Sequence, residues 1–266
     1  MKAETAIIGG SGFYSLLDDA KKANIKTEYG MPSAPISIGK INGKTVAFLP
    51  RHGIRHMLPP HKVPYKANIA ALAKLGVTRI IATNAVGSLS AKFKPGDFTL
   101  FDQFVDMTQG RDDTFYHGAP VTHISVAEPY CSQLKMIAAN AAGVMKLKCH
   151  SDSTVVVING PRFSTKAESR FYSSQGFDVI NMTQYPEVAL ARELGMCYLG
   201  VGTVTDYDAG LEGKRDIKPV SSAEVSKIFA RNIDKAKKLV MRIVNDIPEK
   251  RLCGCSRALD GAVLNP

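Results

Sequence analysis

The sequence predicts an α/β sandwich built around a mixed sheet, on three observations. Apolar, β-branched runs with little polar alternation recur along the 266 residues, as expected of strands covered on both faces. Amphipathic helical stretches lie between them, and regular alternation of strand and helix is the pattern of α/β architectures. The hydrophobic share of 45%, against 22% charged residues, supplies a sizeable core for one large domain or two small ones.

Taken in order, the first strand is TAIIG (5–9), ending on Gly9-Gly10-Ser11-Gly12, where the chain turns without Cβ obstruction. ISIG (36–39) and VAFLP (46–50) follow, then a helix over 65–75 and the strand RIIATNA (79–85). DFTLFDQFVD (97–106) is the next strand, before a helix over 132–145. The second half repeats the alternation: STVVVING (153–160), a helix over 165–174, DVINM (178–182), a helix over 186–194 and YLGVGTVTD (198–206). The last helix opens on a capping box, Ser221-x-x-Glu224, and places Val225, Ile228, Phe229, Ala236, Leu239, Val240 and Ile243 at helical spacing until Pro248 stops it. No repeat, linker or break in composition divides the chain. Residues 1–248 are therefore expected to form one domain, followed by a loosely held C-terminal tail, 249–266, that carries a CxC pair.

A formal net charge of +10 and a pI of about 9.3 raise anionic partners. Much of the excess is scattered lysine (Lys21, Lys22, Lys235, Lys237, Lys238, Lys250), several of them on what reads as the outer face of a helix. Without a basic-and-aromatic platform or a binding motif, a solvated surface outweighs nucleic acid as the reading. The N-terminus lacks the apolar stretch of a secretory signal and no run approaches ~18 apolar residues, so a cytoplasmic protein with no membrane partner is expected. Five cysteines are too few for a secreted disulfide scaffold. Cys131, Cys149 and Cys197 read as buried thiols. Cys253-Gly254-Cys255 could close a local disulfide or bind metal with outside help, and no second CxC or CxxC completes a zinc motif.

Three stretches could carry chemistry. Gly10-Ser11-Gly12 can approach an anion, but the third glycine of a dinucleotide fingerprint and the GK[ST] of a P-loop are both missing. RHGIRHMLPPHKVPYKAN (51–68) clusters Arg51, His52, Arg55, His56 and His61 with no nearby acid; arginines repel a divalent ion, so an anion site fits better than a metal site, with a solvated loop as the alternative. VTDYDAG (204–210) ends an apolar strand on Asp206 and Asp208, which are either caps or ligand groups, because carboxylates without partners are costly to bury.

In order, the blocks GGSG, RHG with HMLPP, ATNAVGS, DQFVDMT, HISVAEPYC, GPRFSTKAES, INMT, PEVALARELGMCY and TDYD closely resemble the methylthioadenosine phosphorylases, within the trimeric purine nucleoside phosphorylase family. The resemblance covers most of residues 5–245. It implies the nucleoside phosphorylase fold: a single-domain αβα sandwich around a mixed, partly barrel-like sheet. It also implies phosphorolysis of S-methyl-5′-thioadenosine to adenine and 5-methylthioribose 1-phosphate, with inorganic phosphate as co-substrate and neither metal nor organic cofactor. By resemblance, Ser11, Arg51, His52, Asn84, Ala85 (through its backbone) and Thr183 surround phosphate. Asn84 stands where many relatives have threonine, and either side chain can hydrogen-bond an oxyanion.

The same resemblance puts Asn181 and Met182 at the ribose, Phe163 on the purine face, and Ser164, Asp206 and Asp208 along the purine edge. Asp206 is expected to give a proton to N7. Ser222 falls near the 5′ end at a place that is often apolar. His56 and His123 border this pocket, His123 from a neighbouring subunit, which implies a homo-trimer or hexamer. Two alternatives stay open on the sequence. One is a purine nucleoside phosphorylase of broader specificity, acting on adenosine, inosine or guanosine; the other is a non-catalytic purine or nucleic-acid binding protein.

Overall fold

A computed structural model describes residues 2–211, 217 and 220–264, apart from the side chains of Ser11, Tyr14 and Ser15. It contains nine strands: β1 (Thr5–Gly9), β2 (Asp18–Ala23), β3 (Ile36–Ile41), β4 (Lys44–Pro50), β5 (Arg79–Ser88), β6 (Phe98–Met107), β7 (Cys149–Ile158), β8 (Val179–Asn181) and β9 (Cys197–Asp206). Five helices accompany them: α1 (Tyr65–Lys74), α2 (Ser132–Val144), α3 (Lys166–Ser174), α4 (Gln184–Glu193) and α5 (Ser222–Asp246).

The strands form one sheet in the order β2-β3-β4-β1-β5-β8-β7-β6-β9, and β9 also pairs with β5. That last pairing closes β5, β8, β7, β6 and β9 into a mixed barrel, with β1, β4, β3 and β2 extending outward from β5. The length of β5 makes both arrangements possible. Its first residues, Arg79–Ala82, lie between β1 and β9, whereas Gly87 and Ser88 run past the end of β1 and pair with β8.

Apolar residues alternate between two core layers, which explains why the strands read as unbroken apolar runs. Ile8 and Ile80 pack with Ile69 and Leu72 of α1 and Leu190 of α4, while Ile7 and Ile81 pack with Leu134 of α2 and Leu239, Val240 and Ile243 of α5. Helices thus cover both faces of the sheet, as expected. All ten residues of β9 are buried. Close packing there depends on glycine: a Cβ on Gly200 would stand 2.2 Å from the ring of Phe101.

One strand was not read from the sequence, and two local readings need correction. β2, DDAKKA, is an almost wholly exposed edge strand that carries no apolar signal, so Lys21 and Lys22 lie on a strand edge, while Lys235, Lys237 and Lys238 lie on α5. A charged edge is what keeps an outer strand from pairing with another molecule. The full capping box is at Thr165 and Glu168, whereas Ser221 accepts from the Glu224 N–H. The tail is also held rather than loose. Arg79 donates to the carbonyls of Pro248 and Glu249, Arg251 donates to that of Gly195, and Val263 forms a bridge with Thr122. Among the described residues no helix is long and apolar enough to cross a membrane.

Candidate active site

A cavity of about 830 Å³ opens where several strand ends meet. Gly10 and Gly12 reach it from the turn after β1, Arg51 and His52 from the end of β4, and Asn84 and Ala85 from β5. Asn181 enters at the end of β8 with Met182 and Thr183 just after it, and Asp206 closes β9. Parallel strands leave their carboxyl ends in such a crevice, so groups distant in sequence converge there.

Arg51 is buried and makes a bidentate ion pair with Glu187 at 2.8 Å through Nε and Nη2, while its Nη1 donates to the Thr83 carbonyl at 2.9 Å. Burial works against the guanidinium charge, but the Glu187 carboxylate outweighs it and keeps the group protonated. Three of the five guanidinium N–H groups are thereby used, leaving two for a ligand. Glu187 itself accepts from the Tyr198 hydroxyl, to which Gln184 donates, and Tyr130 donates to Gln184. This fully buried chain fixes the direction in which Arg51 points.

Next to it, burial and the Arg51 charge push the His52 imidazole down to about 4, so the ring is neutral near pH 7. Its Nδ1 sits 2.8 Å from the Leu58 carbonyl, which assigns the proton to Nδ1 and leaves Nε2 as an acceptor. The His56 ring stacks on it at 4.2 Å. Thr183 donates to Asn84 at 3.2 Å, and the Asn181 Nδ2 is buried without any partner, a donor group oriented for something not belonging to the chain.

At the other end, Asp206 accepts from the Thr205 hydroxyl at 2.7 Å and from the Asp208 N–H at 2.8 Å. Burial still dominates and raises its carboxyl to about 6. Burial also raises Asp208, opposed by the neighbouring Ser169 hydroxyl and the Ala209 N–H. The Oδ2 of Asp208 and the Oγ of Ser164 are both buried without a hydrogen bond. Phe163, at the turn before α3, lines the cavity and is 37% exposed. The turn relies on Gly160, whose φ is +64° and where a Cβ would stand 2.6 Å from the Met182 sulfur.

Of the expected residues, Arg51, His52, His56, Asn84, Ala85, Phe163, Asn181, Met182, Thr183, Asp206, Asp208 and Ser222 line this one cavity. The Ser11 side chain lies outside the described residues. Ser164, its hydroxyl buried beside Asp208, does not line the cavity, and neither does the exposed His123. Arg55 and His61 do not line it either.

Three groups of residues escaped the sequence. Glu187 is an acid inside the apolar stretch PEVALA, and that misplacement was the signal for it. Val225, Phe229 and Ile233 have the helical spacing of core residues, yet they turn an apolar wall toward the cavity from α5. Arg111 was also missed: it ties the walls together by donating to the carbonyls of Met182 at 2.8 Å and Asn159 at 3.1 Å, and to that of Tyr185.

Fold and cavity together define a nucleoside phosphorylase architecture. The model of the phosphorylase superfamily matches residues 4–245, and the chain belongs to that superfamily. Within it, the chain is 51% identical over 253 residues to the S-methyl-5′-thioadenosine phosphorylase of Pyrococcus furiosus, covering 95% of this chain and 96% of that protein. Among solved structures, a methylthioadenosine phosphorylase sourced from an antarctic soil metagenomic library superimposes with a TM-score of 0.92 at 40% identity, covering 100% of this chain and 93% of that one. The Schistosoma mansoni methylthioadenosine phosphorylase in complex with adenine gives a TM-score of 0.90 at 35% identity, with 98% of each chain covered.

Proposed function

We propose that the chain catalyses phosphate-dependent cleavage of S-methyl-5′-thioadenosine to adenine and 5-methylthioribose 1-phosphate, a pentosyl transfer in purine and methionine salvage. The observation that carries the reading is a buried carboxyl near neutrality, Asp206, in the same cavity as the Arg51–His52 corner. In the reaction, a phosphate oxygen forms the new bond to C1′ as the bond from C1′ to N9 breaks. The electron pair of that bond passes into the purine, and N7 takes the proton of Asp206. A carboxyl at about 6 is close enough to working pH to hold and return that proton. Arg51, Asn84 and Thr183, with Ser11 and the Ala85 backbone, hold phosphate, and the neutral His52 accepts through Nε2 from the P–OH of monohydrogen phosphate. Fixed in this way it acts as nucleophile and also stabilises positive charge on the ribose.

Phe163 stacks on the base. Met182 and Asn181 face the ribose, and the unpartnered Asn181 amide finds its acceptor there. Asp206, with Asp208 and Ser164 behind it, recognises the purine edge: while one carboxyl oxygen holds the proton for N7, the other accepts from a 6-amino group and would face the lone pairs of a 6-oxo group. Neither a metal nor an organic cofactor takes part. The catalytic assembly is a homo-trimer or hexamer in which His123 reaches a neighbouring cavity, consistent with its exposed position outside its own.

Comparing methylthioadenosine, adenosine and inosine with and without phosphate tests the reading. Turnover of methylthioadenosine only when phosphate is present is expected, and no turnover of any of them would remove it. A second reading, use of adenosine as well, is favoured by Ser222, which lines the cavity at the start of α5, one turn before the apolar wall of Val225, Phe229 and Ile233. Ser222→Val is expected to raise the preference for methylthioadenosine over adenosine about 10-fold, because it leaves a 5′-hydroxyl without a partner. The ratio of the two kcat/KM values measures it.

A further inference from the structure

Four cysteines from three remote parts of the chain converge away from the cavity. Cys131 caps the start of α2, Cys197 begins β9, and Cys253 and Cys255 lie in the tail. Their sulfurs all lie within 4.8 Å of one another, three of the four residues are buried, and Cys197 and Cys253 approach to 3.3 Å. We propose that these four thiols form a tetrathiolate site for one zinc ion, which clasps the C-terminal tail to the core. The CxC pair had no visible complement in the sequence because Cys131 and Cys197 sit singly in apolar blocks; the fold supplies the two missing ligands.

Geometry and donor type both fit. With Zn–S bonds of about 2.3 Å, a tetrahedral site places its sulfurs ~3.8 Å apart, and the distances here bracket that edge. A disulfide draws two sulfurs to about 2.05 Å, whereas the sulfurs of Cys197 and Cys253 stand 3.3 Å apart. Four sulfur donors without a carboxylate select a thiophilic ion over magnesium or calcium. On binding, each thiol loses its proton to solvent, and the resulting site carries two net negative charges. The N-terminus of α2 and the Leu134 N–H, 3.5 Å from the Cys131 sulfur, oppose that charge. The clasp also steadies a segment of interest to the assembly: tail residue Ala262 accepts from the His123 N–H at 2.8 Å, and Leu264 donates to Val121 at 2.9 Å.

The test is zinc titration of the full-length protein after reduction and desalting. One zinc per chain is expected, with thiolate-to-metal charge-transfer absorption when cobalt replaces zinc. Uptake should be lost in the double variant Cys253→Ser, Cys255→Ser, assayed alongside turnover of methylthioadenosine, which should persist. Cys131→Ser is the second variant, because serine itself favours the N-cap and preserves the start of α2. No uptake by the reduced protein, or equal uptake in both variants, overturns the proposal. So does a folded protein whose intact mass is still four hydrogens short after treatment with reductant, since two disulfides would then occupy all four ligands.

Discussion

Replacing Asp206 with asparagine is expected to lower turnover of methylthioadenosine by about 10²–10⁴-fold, the usual contribution of a positioned proton donor. Turnover of inosine should fall far less, because an amide N–H at the purine edge accommodates a 6-oxo group that the carboxylate repels. Equal losses for the two substrates would count against edge recognition. The substitution can be made without breaking the local network. Asparagine keeps an oxygen for the Asp208 N–H, and its amide can donate to the Thr205 oxygen, whose hydroxyl also lies within 3.2 Å of the Val86 carbonyl.

Stability should move the other way. Asp206 is raised to about 6 by burial, so between about pH 4 and 6 the folded protein binds a proton that the unfolded chain has released. Wild-type stability is therefore fully present at low pH and falls as pH rises through about 6, by on the order of 3 kcal/mol for a carboxyl displaced this far. The variant carries no such titration. Its Tm should match wild type near pH 4 and exceed it at pH 8, measured by scanning calorimetry at the two pH values. A variant equally or less stable at pH 8 would mean that Asp206 is not held in its charged form against a burial penalty.

What the sequence made legible follows from where each signal is stored. Strands covered on both sides write their burial directly into the chain, so TAIIG, VAFLP and YLGVGTVTD could be located to within a residue or two. DDAKKA could not, since an exposed edge strand is defined by its partner β3 rather than by its own residues. The cavity residues were reached through ordered motifs, and twelve named side chains or backbone positions meet in one cavity. Closure of the barrel and convergence of the four cysteines were beyond local reading. Both depend on pairings between segments far apart in the chain, as in the contact of Cys197 with Cys253.

Glu187 belongs to this last class, and its replacement by glutamine carries the second large expected effect. In the folded protein it pairs through both carboxylate oxygens with Arg51, and both side chains are almost wholly buried. Glutamine keeps one acceptor and turns an amide toward groups that are themselves donors, so the guanidinium loses its bidentate partner and its direction. Breaking a buried pair from one side costs about 3–5 kcal/mol of stability. Because phosphate must lie in line with the bond from C1′ to N9, even a displacement of ~1 Å lowers turnover by about 10²-fold. KM for phosphate should rise more than KM for the nucleoside, which separates a positioning role from general destabilisation. Tyr198→Phe, which removes the 2.7 Å hydroxyl contact to the same carboxylate and the acceptor of the Gln184 amide but leaves the pair with Arg51 in place, should cost about 1–3 kcal/mol and leave KM for phosphate nearly unchanged. If Glu187→Gln raises the two KM values equally, Arg51 does not depend on its partner to grip the oxyanion, and the orientation argument fails.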